Sequence, residues 1–239
     1  MPDPTPDASP ILPQRAQAAH AIVSSVAWLF EPYWRGDRLL AHLSEGRVSL
    51  TDQAGEVVDA AYPDAITELA AALDAEQAVI DGIWTGMPFV GDGAAARMTE
   101  ANAADDDAGT AAGAESGDPL AHETRRAFVA IDLLEVDGTP LYDVPLLERR
   151  RLLASVLAEN VRVRISPAVK VPIQPWVDAW RHHGFGRYVA KHDNSRYSPG
   201  EVSEEWLILP TAPESPPNLF ARLMGKRPRK LRHIEDSAR

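Results

Sequence analysis

The sequence predicts an α+β domain. Apolar residues make up 45% of its 239 positions and charged residues 25%, a balance that suits a sizeable buried core. Strand-like and helix-like segments follow one another in no regular order, so the βαβ rhythm of a doubly wound fold is missing. No repeat recurs at a fixed period, and no window approaches the ~18 uninterrupted apolar residues of a membrane span.

Residues 1–13 are acidic and Pro-rich and read as a disordered lead. The Ala-rich stretch Gln14 to Ser25 predicts a short helix. Ala27 to Phe30, Asp37 to His42 and Arg47 to Asp52 read as strands, the last two joined by the hairpin turn Ser44-Glu45-Gly46. Ile66, Leu69, Ala70 and Leu73 recur at helical spacing behind Pro63, which suits a first turn. Gln77 to Trp84 is a further strand. Residues 91–124 are rich in Ala, Gly and Asp and predict a flexible acidic insertion. Ala127 to Val136 is a strongly apolar strand closed by the Asp137-Gly138 turn. Pro145 to Leu157 and Gln174 to His183 read as helices. Arg162 to Ile165, Arg187 to Lys191 and Trp206 to Leu209 read as strands. Pro216 to Met224 predicts a short amphipathic helix before a basic end.

Cysteine is absent, which excludes disulfides, thiol catalysis and thiolate zinc sites. The N-terminus has no basic segment before an apolar run, so no secretory signal is expected and a cytoplasmic location is. The formal charge of −11 argues against a generic nucleic-acid coat. That charge is uneven. Seven carboxylates between Thr99 and Thr124 account for most of it and leave −4 for the rest. Between Pro216 and His233 lie Arg222, Lys226, Arg227, Arg229, Lys230 and Arg232, with no acid. These six are candidate DNA-phosphate contacts, against the plainer reading of a solvated terminus. Gly91-Asp92-Gly93 opens no βαβ unit and is set aside as a dinucleotide fingerprint. The Asp105-Asp106-Asp107 run could bind a cation but reads more plainly as a solvated flexible run, His182, His183 and His192 lack ligand-like spacing with acids, and the six tryptophans are expected mainly in the core.

Several segments form an ordered series. Phe30-Glu31-Pro32-Tyr33-Trp34-Arg35-Gly36-Asp37-Arg38 is followed by Tyr62-Pro63, Val79-Ile80-Asp81-Gly82-Ile83 and Ile131-Asp132-Leu133-Leu134. Then come Pro145-Leu146-Leu147-Glu148-Arg149-Arg150 and Gly184-Phe185-Gly186-Arg187-Tyr188-Val189-Ala190-Lys191. Ser195, Tyr197, Gly200 and Trp206 complete it. Over roughly residues 27–210 the series resembles the adenylation domain of ATP-dependent DNA ligases. The resemblance implies an ATP-grasp-like nucleotidyltransferase fold of two packed mixed sheets with outer helices, spanning residues 14–210. Residues 211–239 then form a basic tail, and no OB-fold domain is expected after it.

In that family a lysine amine attacks the α-phosphate of ATP, with Mg²⁺ as cofactor. Here Tyr33 stands at the lysine position. A phenol titrates near pH 10 and cannot form a phosphoramidate. The other departures point the same way. Arg35 replaces an Asp, Ile83 and Gly186 replace two Glu, Arg187 replaces a Gly, and Ile208 and Pro210 replace two Lys. Gly36, Gly82 and Gly138 read as turn glycines. The resemblance makes Arg38 and Lys191 candidate nucleotide contacts, and each could instead be an ordinary surface ion-pair residue. Three functional readings stand. The leading one is a non-catalytic binding or scaffold protein of DNA repair or DNA metabolism, whose partner is DNA, an active ligase or a repair protein. The others are an active ATP-dependent ligase sealing nicks and a nucleotide-binding sensor without turnover.

Overall fold

The computed structural model describes residues 10–19, 23–87 and 126–212. The acidic insertion and the basic tail, with its six candidate phosphate contacts, lie outside the described residues, as does the helix expected at Pro216 to Met224.

The larger sheet is built around β5 (Gln77–Thr85). It pairs antiparallel with β3 (Asp37–Ser44) on one side and β6 (Ala127–Val136) on the other. β4 (Arg47–Thr51) extends the sheet beyond β3. β6 also carries β7 (Thr139–Pro140) antiparallel at one end and β8 (Val163–Ile165) parallel at the other. The smaller sheet runs β1 (Arg15–Ala18), β10 (Val202–Pro210), β9 (Arg187–His192), β2 (Trp28–Pro32). Its first pair is parallel and the other two are antiparallel. Both sheets are therefore mixed, as the resemblance implies.

Three apolar clusters hold the layers together. α1 (Pro63–Ala72) and α2 (Leu146–Val156) cover one face of the larger sheet through Leu69 and Leu153 against Leu39, Ile80, Phe128 and Leu133. α3 (Gln174–His182) contributes Val177 and Trp180 to a second cluster. There Phe30, Tyr188 and Ala190 of the smaller sheet meet Ile83, Val129 and Ile131 of the larger. Leu40, Val79, Leu134, Tyr197 and Trp206 form the third. Alternate residues of β3 and β5 thus serve cores on opposite faces. This is why Gln77 to Trp84 reads as a nearly continuous apolar run rather than an alternating one. Trp34, Trp84, Trp180 and Trp206 are buried, as expected.

Both predicted turns form, the first with Ser44 as the last residue of β3. Glu45-Gly46 and Asp137-Gly138 have positive φ at both residues, the geometry that matches strand twist in tight hairpins. Three expectations are corrected. The segment predicted as a helix from Gln14 carries β1 instead. Its Ala content favours helix locally, but β10 offers a parallel ladder, and Arg15 N–H donates to the Glu201 carbonyl at 2.8 Å. Residues 10–13, expected in the disordered lead, are anchored: Gly200 N–H donates to the Leu12 carbonyl at 2.9 Å. Gly82 is not in a turn but in the middle of β5, where the Phe128 ring lies across it.

That contact gives a test. A Cβ on Gly82 would lie 2.2 Å from the Phe128 ring, whereas one on Gly186 meets nothing within 4 Å. Gly82→Ala is expected to lower stability in urea denaturation by about 1–3 kcal/mol, the range for overpacking a core. Gly186→Ala should change it by less than about 0.5 kcal/mol, as open surface sites do. Equal effects of the two substitutions would contradict the packing described.

Candidate functional site

Between the sheets lies a cleft of about 330 Å³. β2 and the turn after it supply Glu31, Tyr33, Trp34 and Gly36 to its lining, β3 supplies Arg38, and β5 supplies Ile83. β9 and β10 bring Val189, Lys191, Trp206 and Ile208, and β1 brings Arg15. Gly36 is required here: a Cβ would lie 2.3 Å from the Trp84 carbonyl oxygen. The two sequence-predicted contacts, Arg38 and Lys191, come together in this cleft from different sheets.

Both are held by carboxylates. Lys191 is buried and donates to Glu31 Oε2 at 3.2 Å and to the Ile131 carbonyl at 3.0 Å, with its ammonium 4.2 Å from the Trp206 ring centroid. Burial pushes its pKa below the usual lysine range, and the charges of Glu31 and Asp132 offset this only in part. The other oxygen of Glu31 accepts from Arg150 at 2.8 Å, and Arg150 also donates to the Ser166 carbonyl at 2.7 Å. Ser166 Oγ in turn accepts the Trp34 indole N–H at 3.0 Å. Arg38 grips Asp81 with two bonds of 2.9 and 2.6 Å. Burial alone would lower the Arg38 pKa, but Asp81 more than reverses this and holds it above the ordinary value. The Tyr197 hydroxyl donates to Asp81 at 2.8 Å and accepts from Gln14 N–H at 2.9 Å. Burial, with the Asp81 charge, raises the Tyr197 pKa well above that of a free phenol. A third pair, Arg149 on Asp132 at 2.8 and 2.7 Å, lies fully buried nearby.

Glu31, Asp81 and Asp132 emerge as partners that the sequence reading did not single out. Their signal was present. Each is a buried acid inside an apolar strand, where an unpaired charge would be prohibitively costly. What the sequence withholds is the identity of the partner.

Tyr33 occupies the position that the resemblance gives to the nucleophilic lysine. Its N–H donates to the Arg187 carbonyl at 3.1 Å, and the Arg187 guanidinium stacks 4.5 Å from its ring centroid. Among the described residues no base hydrogen-bonds its hydroxyl. Nor do the described residues of the cleft offer the several hard oxygen ligands that Mg²⁺ needs. Among the described residues Glu31 is the one carboxylate in the lining, and both of its oxygens already accept from cations. Ile83 and Gly186 offer no side-chain oxygen where the resemblance places acids.

The shared carboxylate yields two expectations. Glu31→Gln removes the counter-charge of two buried cations and should destabilise the fold by about 3–5 kcal/mol in denaturant titration, the usual cost of breaking a buried pair. Because burial lowers the Lys191 pKa, the folded protein releases this proton at lower pH than the unfolded chain does. The unfolded chain then binds more protons between the lowered folded value and about 10.5. Stability of the wild type relative to Lys191→Met should therefore rise with pH through that window and level off above it. The comparison cancels the opposing titration of Tyr197. A difference that falls with pH would contradict the burial.

Comparison with known proteins agrees with this architecture. The family model described as "ATP dependent DNA ligase domain" matches residues 10–208. The chain is 28% identical over 193 residues to the multifunctional non-homologous end joining DNA repair protein LigD of Mycobacterium tuberculosis, covering 80% of this chain and 23% of that protein. It is 26% identical over 216 residues to a DNA ligase of Pyrobaculum islandicum, covering 83% of this chain and 34% of the relative. The chain thus spans about a quarter to a third of the length of these curated relatives. Among solved structures it superposes on the ligase domain of M. tuberculosis LigD with a TM-score of 0.57 and 26% identity, over 83% of this chain and 58% of that one. A mycobacterial DNA ligase D solved with ATP and MES gives the same TM-score and identity over 84% and 60%. With its two mixed sheets, its cleft and a family match over nearly the whole described chain, this protein belongs to the ATP-dependent DNA ligase domain family.

Proposed function

We propose that this domain is a non-catalytic member of its family and acts as a binding or scaffold module in DNA metabolism. One observation carries the reading: Tyr33 takes the place of the nucleophilic amine in a cleft whose buried cations are committed to carboxylates. Adenylation needs a lysine amine in line with the α-phosphate, cations for the polyphosphate and oxygen ligands for a metal. Lys191 is bonded to Glu31, Arg38 is bonded to Asp81, and Arg187 lies on the Tyr33 ring. Each has an internal role that attack on ATP would have to disrupt. A binding role suits the names of the relatives, which are DNA-joining proteins. It also suits the six cations between Pro216 and His233, which offset an otherwise acidic chain.

Two measurements test the reading. Incubation with α-labelled ATP and Mg²⁺ followed by a denaturing gel should leave the protein unlabelled. A stoichiometric label that survives alkali and is lost in acid would overturn the proposal, since that stability belongs to a phosphoramidate. Tyr33→Lys alone should remain unlabelled, because no metal carboxylate is restored. DNA binding should be independent of sequence, with log K against log salt falling at a slope of roughly −3, as when about half of the six cations meet phosphates. Truncation after Pro217 should remove most of this binding and leave the Tm unchanged. Undiminished affinity in ~50 mM salt, where phosphate contacts are strongest, would remove DNA from the proposal.

A further inference from the structure

The smaller sheet ends in a bare edge. β1 is its outermost strand and runs parallel to β10. Arg15 N–H donates to the Glu201 carbonyl at 2.8 Å and Ala19 N–H to the Ile208 carbonyl at 2.9 Å, so the odd-numbered residues turn their backbone groups toward β10. Those of Ala16 and Ala18 therefore point away from the sheet, the unpaired row of an edge strand. Among the described residues no strand lies beyond them. The edges at β2, β4 and β8 are covered. Outside β2, Phe30 and Val169 exchange two backbone bonds of 2.9 Å. Outside β4, Val58 N–H donates to the Leu50 carbonyl at 2.9 Å, and Asp59 accepts the Leu50 N–H at 2.6 Å. Outside β8, Asn160 N–H donates to the Val163 carbonyl, while the Asn160 and Glu159 side chains accept from Val163 and Ile165 N–H. β1 also has no Pro and no Lys to guard it, and its two outward residues are alanines.

The rim of this edge is acidic. Ala16 pairs with Ser203 and Gln17 with Leu207, so β10 bulges between them and carries Glu204 and Glu205 there, both exposed. Glu201, bonded through its carbonyl to Arg15, is exposed as well. Against these three acids stands the exposed Arg15, whose guanidinium donates to the Gly200 carbonyl at 3.2 Å. A bare edge accepts an extended peptide as an added strand, and the charge of the rim selects which one. A second copy of the edge would bring two acidic rims together. The chain's own tail has the opposite charge, with six cations and no acid from Pro216 to His233. It also has the reach. Ala18 pairs with Ile208, and β10 ends at Pro210. Residues 213–228 can span up to roughly 50 Å, whereas neighbouring strands lie about 4.8 Å apart. A chain that leaves β10 and turns back meets β1 antiparallel, which needs no crossover.

We infer that the outer edge of β1 is the docking site of the chain's own basic tail. The stretch Arg229 to Arg232 adds to the sheet as a strand behind Pro228, a residue suited to a strand's first position. The docking stands apart from the cleft and from the DNA reading. It uses the cations of the proposed DNA arm, however, so the edge and DNA compete for them.

Hydrogen exchange at single amides reads the edge directly. In the full chain, Ala16 and Ala18 N–H should exchange about ten-fold or more slowly than after truncation following Pro217, the local protection that an added ladder confers. A synthetic peptide of residues 218–239 should restore that protection to the truncated chain, and added salt should weaken its binding. Ala18→Pro removes an outward donor and no bond to β10, and should abolish peptide binding in calorimetry. If that variant does not fold, Glu201→Gln, Glu204→Gln and Glu205→Gln combined, all at exposed side chains, should weaken the peptide about ten-fold, the sum of three exposed ion pairs. Exchange unchanged by truncation would overturn the proposal. So would protection that persists in the truncated chain and rises with protein concentration, since that puts a second copy on the edge. Duplex DNA in ~50 mM salt should draw the tail off the edge and release both amides. Protection that survives DNA would count against the DNA arm and leave the docking standing.

Discussion

A single buried carboxylate fastens the two halves of this domain. Glu31, on β2 of the smaller sheet, takes Lys191 from the neighbouring β9 on one oxygen and Arg150 from α2 on the other. Because α2 packs on the larger sheet, the carboxylate joins the sheets across the cleft they enclose. The Lys191 bond to the Ile131 carbonyl crosses the same gap in the other direction. Burying three charges is favourable only when each keeps a partner, so none can be withdrawn for chemistry at low cost. The geometry of the cleft and the commitment of its described buried cations to carboxylates have the same origin.

The other two buried acids repeat the pattern. Asp81 receives Arg38 from the adjacent strand and Tyr197 from the loop before β10, and Tyr197 is tied through Gln14 N–H to the N-terminal segment. Asp132 receives Arg149, which also donates to the Ser195 carbonyl. Ser195 Oγ accepts the Trp206 indole N–H at 3.2 Å, so the loop, the strand and the cleft wall form one connected polar network. The residues of this network are those in which the sequence keeps the pattern of ATP-dependent DNA ligases. The departures at Tyr33, Ile83, Gly186, Ile208 and Pro210 fall outside it. A fold can lose catalytic groups without losing its ion pairs when the two sets are distinct, and here they are.

Much of this was legible in the sequence because it is local. The turns at Glu45-Gly46 and Asp137-Gly138, the helix behind Pro63 and the apolar strand from Ala127 follow from short-range chemistry. The strand at Arg15–Ala18 was not legible, because its cause is a ladder with β10 nearly two hundred residues away. An Ala-rich segment favours helix only until a distant edge offers it hydrogen bonds. Gly82 misled for the same reason: it serves the Phe128 ring on another strand and not a turn. The candidate site was half legible. Arg38 and Lys191 were found, but the partners that hold them, Asp81 and Glu31, lie 43 and 160 positions away. No pattern of local spacing encodes such a pairing.

The most direct test of the claim that the cleft's cations are committed to the fold is nitrogen-detected NMR of the lysine ammonium groups. The chain has only four lysines, so the Lys191 signal is readily assigned by substitution. One ammonium should be protected from exchange with water at neutral pH, coupled to Glu31 and unmoved by ATP with Mg²⁺. Four rapidly exchanging signals, or a Lys191 resonance that leaves its Glu31 partner when ATP is added, would contradict it.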